Sequence, residues 1–142
     1  MYDEECVFCN GIANRKEAAI VYEDQDTMAF MDYAPVEPGH VLVIPKEHYV
    51  NIFDIDADQY VKVHRLAKRL SSAVIDAMGA DAINIGQNNG PCANQRVMHY
   101  HLHIIPRWCN RNLDWNRNIV SGKELEDIAS RIRQSLEKAG SE

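Results

Sequence analysis

Apolar positions recur along the chain with two different periods. Ala18 to Tyr22 and Thr27 to Met31 are short apolar or β-prone runs separated by Glu23-Asp24-Gln25-Asp26. That pattern predicts an antiparallel hairpin with a polar turn. Asp32 to Gly39 holds two prolines and a glycine and reads as a loop. His40 to Pro45 is almost wholly apolar, as expected of a central strand buried on both faces. The period then changes. Tyr60, Val63, Ala67, Leu70, Val74 and Ala77 recur at three- and four-residue steps, which predicts one long amphipathic helix over Asp56 to Met78. Asp56 with Gln59 resembles a capping box, and Gly79 closes the helix. Ile83 to Gly86 and His99 to Arg107 return to strand character, with a polar loop, Gln87 to Arg96, between them. Trp108 to Ile119 is irregular; its tryptophans are read as core or subunit contacts. Ser121 with Glu124, followed by Leu125, Ile128, Ala129, Ile132 and Leu136, predicts a C-terminal helix over 121–139. Strand, strand, strand, helix, strand, strand, helix is not a regular βα alternation. It implies an α+β domain, a mostly antiparallel sheet with helices on one face.

Bulk properties narrow the classes of function. The 142 residues suit one domain with a sizeable core, and no repeat or linker divides 1–142. The net charge of −6, without a Lys/Arg run, argues against a nucleic-acid polymer as partner. A small nucleotide needs only a local anion site and stays open. Met1-Tyr2-Asp3-Glu4-Glu5 is acidic where a signal peptide is basic, and no apolar run reaches membrane-spanning length. A cytoplasmic protein is therefore expected. There, four cysteines point to metal or redox chemistry rather than disulfides.

The chemistry concentrates in His99-Tyr100-His101-Leu102-His103, which holds three of the six histidines at alternate positions. In a strand, alternate side chains share a face, so the imidazoles project together with Cα atoms about 6–7 Å apart. A helix would scatter them. The arrangement fits a metal site, a catalytic imidazole, or both. Cys6-Val7-Phe8-Cys9 is a second candidate, open to three readings: a redox pair, two metal ligands, or unrelated cysteines. A thioredoxin-type pair needs a preceding strand, and only five residues precede Cys6. Cys6, Cys9, His48 and one triad histidine, assigned here as His99, would close a tetrahedral zinc site with no open position, hence a structural one. His101 and His103 would then remain free for chemistry. A neutral imidazole, one nitrogen held and the other bare, is an effective nucleophile toward phosphorus. The polar loop would offer N–H groups and amides to the phosphoryl oxygens. A catalytic metal held by all three histidines is the rival reading.

These motifs resemble the histidine triad (HIT) family of nucleotide hydrolases and transferases. His99 to Ile105 is similar to its His-x-His-x-His signature, and Gly39 to Lys46 to a second block. Asn88 and Gln95 stand eleven and four residues before His99, as the family's phosphate-loop residues do. Cys6, Cys9 and His48 look like the zinc-containing branch. The resemblance implies a five-stranded antiparallel sheet with two main helices, paired into a continuous ten-stranded sheet in a homodimer. Residues 1–16 would form a zinc-binding N-terminal segment. The resemblance further implies His101 as nucleophile, with His103 and His40 in support, and Asn88 and Gln95 on the phosphate. Asp32 would bind ribose hydroxyls, and Val7 and Phe8 would line a purine pocket. His103 at the third triad position implies a hydrolase of nucleoside phosphoramidates or dinucleoside polyphosphates rather than a transferase. A non-catalytic nucleotide-binding scaffold, or a nucleotidyl transferase, is the alternative. The chain departs from the pattern at Asn94, where Gly is usual, and at Arg96, where Ser or Thr is usual. Arg96 would meet a longer polyphosphate or point to solvent.

Overall fold

The structure is a computed structural model and describes residues 3–13 and 19–139. Five strands form one sheet: β1 (Ile20–Glu23), β2 (Thr27–Met31), β3 (Val41–Pro45), β4 (Ala82–Gly86) and β5 (Leu102–Arg107). Their order across the sheet is β1-β2-β3-β5-β4, and every neighbouring pair is antiparallel. Among the described residues three α-helices accompany them: α1 (Val7–Ala13), α2 (Ala57–Met78) and α3 (Gly122–Ala139).

The predicted hairpin forms, and its turn has a specific cause. Asp24 Oδ1 accepts the N–H groups of Asp26 and Thr27 and the Thr27 hydroxyl, at 2.7–2.9 Å. The carboxylate thus substitutes for backbone partners in the turn. Ala18, the first residue of the predicted run, lies outside the described residues, as do positions 14–16 of the N-terminal segment.

β3 is the middle strand, and all five of its residues are buried. Its alternation divides the core. Val41 and Val43 join Leu102, Ile104 and Tyr100 beneath α2 and α3. Leu42 and Ile44 face the other way, toward Cys6, Phe8, Cys9 and Met28. Both main helices therefore cover one face, as expected, while the short α1 packs on the opposite face and carries the Cys-x-x-Cys pair there. Burying a branched aliphatic side chain such as those of β3 contributes about 1.5–3 kcal/mol.

Two local expectations are corrected. The Asp56–Gln59 capping box does not form: Asp56 is the N-cap by backbone geometry, but its carboxylate caps nothing and Gln59 Oε1 is buried without a partner. Asp56 is exposed, so water can serve the first-turn N–H groups. The Ser121 cap does form, accepting the Glu124 N–H at 3.1 Å. The triad strand is also shorter than its sequence pattern. It begins at Leu102, because the Tyr100 N–H donates to Tyr49 O at 2.7 Å instead of joining the β3 ladder. Alternation nevertheless holds through the lead-in: Tyr100, Leu102 and Ile104 enter the helix-side core, and the histidines between them face α1. Among the described residues no helix is long and apolar enough to cross a membrane.

Candidate functional site: two histidine clusters on one face

The α1 side of the sheet gathers five of the six histidines into two clusters. In the first, Cys6, Cys9, His48 and His99 place their ligating atoms within 4.8 Å of one another. The Sγ–Nδ1 edges are 3.3 Å (Cys6–His99), 3.4 Å (Cys9–His48) and 3.6 Å (Cys9–His99), and the Nδ1–Nδ1 edge is 3.2 Å. A tetrahedron with zinc–sulfur and zinc–nitrogen bonds of ordinary length has edges of about 3.6 Å and 3.3 Å. Four of the six edges thus lie close to those of such a site, and the other two are within 4.8 Å. His99 is fully buried, and its Nε2–H donates to Pro45 O at 2.8 Å, which leaves Nδ1 bare toward the cysteines. Burial pushes the Cys6 thiol up to about 11, so a metal taking this ligand would displace a proton.

The second cluster is Asp32, His40 and His103, joined by His101. Here donors and acceptors alternate. The Val36 N–H points to His40 Nδ1 at 3.3 Å, so His40 carries its proton on Nε2. That proton is donated to His103 Nδ1 at 2.9 Å, and Asp32 Oδ2 lies 3.6 Å from the same nitrogen. His103 therefore holds its own proton on Nε2. The His101 Nδ1–H donates to His99 O at 2.7 Å, leaving His101 Nε2 bare. The His101 ring lies edge-on to Phe8, with centroids 5.2 Å apart, and 4.9 Å from His103. Three side chains of this cluster could in principle surround an ion. The Val36 N–H commits His40 Nε2 to being a donor, however, and the Arg117 guanidinium occupies Asp32 Oδ2 at 2.6 Å. The arrangement can relay a proton from His40 to His103.

Burial keeps the relay neutral. Desolvation holds His40 down at about 4 and His103 at about 3, with the neighbouring imidazoles adding to the effect on His103. His101 is lowered as well, again chiefly by burial. At neutral pH its bare nitrogen is therefore an available lone pair. Gly39 seats His40 at the head of β3. Its φ is +95°, and a Cβ there would come within 2.8 Å of Met78 Cγ and 3.1 Å of Pro106 Cγ.

The other sequence-predicted residues fall around this centre. Phe8 is buried between Phe30 and His101, whereas Val7 is exposed. Asn88 Nδ2 donates to Asn94 O at 3.3 Å. Gln95 is buried and its amide ties the loop to residues 50, 51 and 97. Oε1 accepts from Gly90 N and Asn51 Nδ2, and Nε2 donates to Val50 O and Val97 O. Asn94 has φ 70°, the left-handed conformation that explains why Gly is usual there and why Asn can replace it. Its Oδ1 accepts from the exposed Arg96 Nε at 3.0 Å. Asp32 is buried, with Oδ1 accepting the Ala34 N–H and Oδ2 paired with Arg117. Sequence reasoning missed Arg117, and also Asn51, which braces Gln95. Neither carries a local motif, and the Arg117 bond spans 85 positions.

The fold and the site define an α+β protein with a buried imidazole nucleophile candidate beside a preformed Cys₂His₂ donor set. Comparison with known proteins narrows the class. The HIT domain family matches residues 13–109, and the chain belongs to that family. Among solved structures it is similar to a HIT-like protein of Bartonella henselae described as involved in cell-cycle regulation, with TM-score 0.87 and 38% identity over 95% of this chain and 99% of that one. A zinc-bound histidine triad family protein of Mycobacterium smegmatis superposes with TM-score 0.86 at 31% identity, covering 95% of each chain. Among sequences, an adenylylsulfatase of Arabidopsis thaliana is 31% identical over 93% of this chain and 70% of its own length.

Proposed function

We propose that the protein is a nucleotide hydrolase acting at the α-phosphorus of a nucleoside phosphoramidate or dinucleoside polyphosphate, with an AMP-like purine portion as the group transferred. One observation carries the reading: His101 Nε2 is bare because its Nδ1–H is tied to His99 O. In the first step Nε2 attacks the α-phosphorus. A P–N bond to His101 forms, the bond to the leaving group breaks, and the leaving group takes a proton from the His40–His103 relay. Water then attacks the nucleotidyl-histidine: its oxygen bonds to phosphorus as the P–N bond breaks, one of its protons refills the His40–His103 pair, and the nucleoside monophosphate leaves with His101 Nε2 bare again. The Arabidopsis relative, named for hydrolysing an adenylyl compound, supports the class of substrate.

The loop of residues 87–96 would receive the phosphates, with Asn88 and Arg96 toward the ligand and Gln95 as its brace. Asp32 would accept ribose hydroxyls, and Phe8 and Val7 would border the base. Cys6, Cys9, His48 and His99 would hold zinc in a closed, structural site; its chemistry is to bind α1 to the triad, and no step passes through it. β4 is an edge strand with Ile85 about half exposed, which supports pairing with a second copy into a ten-stranded homodimeric sheet. The cytoplasm is the compartment in which the four free thiols persist.

A turnover panel tests the reading. Wild-type protein should hydrolyse adenosine 5′-phosphoramidate or a diadenosine polyphosphate, and His101→Ala should lose about 10³-fold or more in kcat while still binding AMP. AMP binding with no turnover of any member of the panel would mark a non-catalytic binder instead.

A further inference from the structure

The irregular segment that follows β5, residues 108–121, has a definite course. It is tied down at both ends of the 32–37 loop. Trp108 Nε1 donates to Gly79 O at 2.9 Å and the Cys109 N–H to Asp81 Oδ2 at 2.8 Å, which starts the segment against the end of α2. The Arg111 guanidinium stacks 3.9 Å above the Trp108 ring and reaches Glu37 Oε1 at 2.9 Å. Further on, Arg117 NH1 donates to both Asp32 Oδ2 (2.6 Å) and Ala34 O (2.9 Å). Asn118 closes the strap on Pro35 O through its backbone N–H and its amide.

The strap thus grips the loop that builds the His40 end of the relay. Asp32 N donates to His40 O, His40 N donates to Glu37 O, and the Val36 N–H sets the His40 tautomer. Both carboxylates gripped by the strap, Asp32 and Glu37, are buried and take their cation from it. A buried carboxylate needs a fixed partner, or it relaxes toward the nearest alternative. For Asp32 that alternative is His40 Nε2, only 3.6 Å away. Arg117 stands against this collapse. It holds Oδ2 on the side of the strap, while the Ala34 N–H holds Oδ1.

We propose that Arg117 is a positioning residue for the nucleotide's sugar: it orients the Asp32 carboxylate to accept ribose hydroxyls and keeps that carboxylate off the His40–His103 pair. The inference rests on the proposed assignment of Asp32 to the ribose. It gives the post-β5 strap the work of selecting ribonucleotides, through a cation that never touches the reacting phosphorus.

Calorimetric binding of AMP and of 2′,3′-dideoxy-AMP to Arg117→Gln, Arg117→Lys and wild-type protein tests it. Wild-type protein should prefer AMP. Arg117→Gln should weaken AMP binding by about tenfold, the scale of one charge-assisted hydrogen bond. Dideoxy-AMP binding should change by about twofold or less, so the preference collapses. Arg117→Lys, which keeps the charge, should restore part of the preference. A general structural role would weaken both ligands alike and leave the ratio unchanged; that outcome overturns the proposal while AMP binding by wild-type protein keeps the hydrolase reading intact. If wild-type protein binds neither nucleotide, the nucleotide reading fails, and the role of Arg117 fails with it.

Discussion

The two clusters use the same side chain for opposite ends. In the Cys6–Cys9–His48–His99 group, bare donor atoms converge on one point, with edges of 3.2–3.6 Å. In the Asp32–His40–His103–His101 group, His40 offers a proton where His103 offers a lone pair, and His101 gives its own proton to a backbone carbonyl. The difference is made outside the rings. Pro45 O takes the Nε2 proton of His99, His99 O takes the Nδ1 proton of His101, and the Val36 N–H claims the Nδ1 lone pair of His40. Backbone groups thus decide which nitrogen of each histidine carries the proton and which is bare. His99 takes part in both clusters: its ring belongs to the first and its carbonyl fixes the His101 tautomer in the second.

The contrast can be broken from either side. Stripping metal with a chelator, or replacing Cys9 with Ser, should lower Tm by about 10 °C or more, because the donor set binds α1 to the sheet. Protein that remains folded at low temperature should keep turnover within about threefold. A complete loss of activity in folded, metal-free protein would make the first cluster catalytic. His40→Ala should do the reverse, lowering kcat by about 10²-fold with the bound-metal stoichiometry unchanged, measured by steady-state kinetics and elemental analysis. The smallest effect is on pH-dependent stability. His40 and His103 are held neutral by burial well below 6.5, at about 4 and about 3. Well above pH 6.5 these two histidines take up no proton in either state, and their contribution to stability does not change with pH. As pH falls from 6.5 toward 4 the unfolded chain protonates first, so stability drops by about 1.4 kcal/mol per pH unit for each histidine. Urea midpoints at pH 7, 6 and 5 should show this slope, and His40→Ala should reduce it.

Much of this was legible along the chain because its patterns are local. Alternate histidines, Cys-x-x-Cys, the apolar β3 run and the helical stripes each declare themselves within a few residues. What escaped was decided at a distance. The start of β5 depends on a bond from Tyr100 to Tyr49, and the grip on Asp32 depends on Arg117, 85 positions away. Gln95 shows a third limit: its position is easily recognised, but only the fold reveals that both ends of its amide brace the loop. Asp56 marks a fourth, a capping pattern that solvent can replace.

During turnover His101 Nε2 should form a covalent bond to phosphorus. Wild-type protein should be mixed briefly with adenosine 5′-phosphoramidate, denatured at alkaline pH where a P–N bond survives, digested and analysed by mass spectrometry. A nucleoside monophosphate adduct is expected on the peptide bearing His101 and is expected to be absent from His101→Ala. An adduct on another residue, or full-rate turnover by His101→Ala, would contradict it.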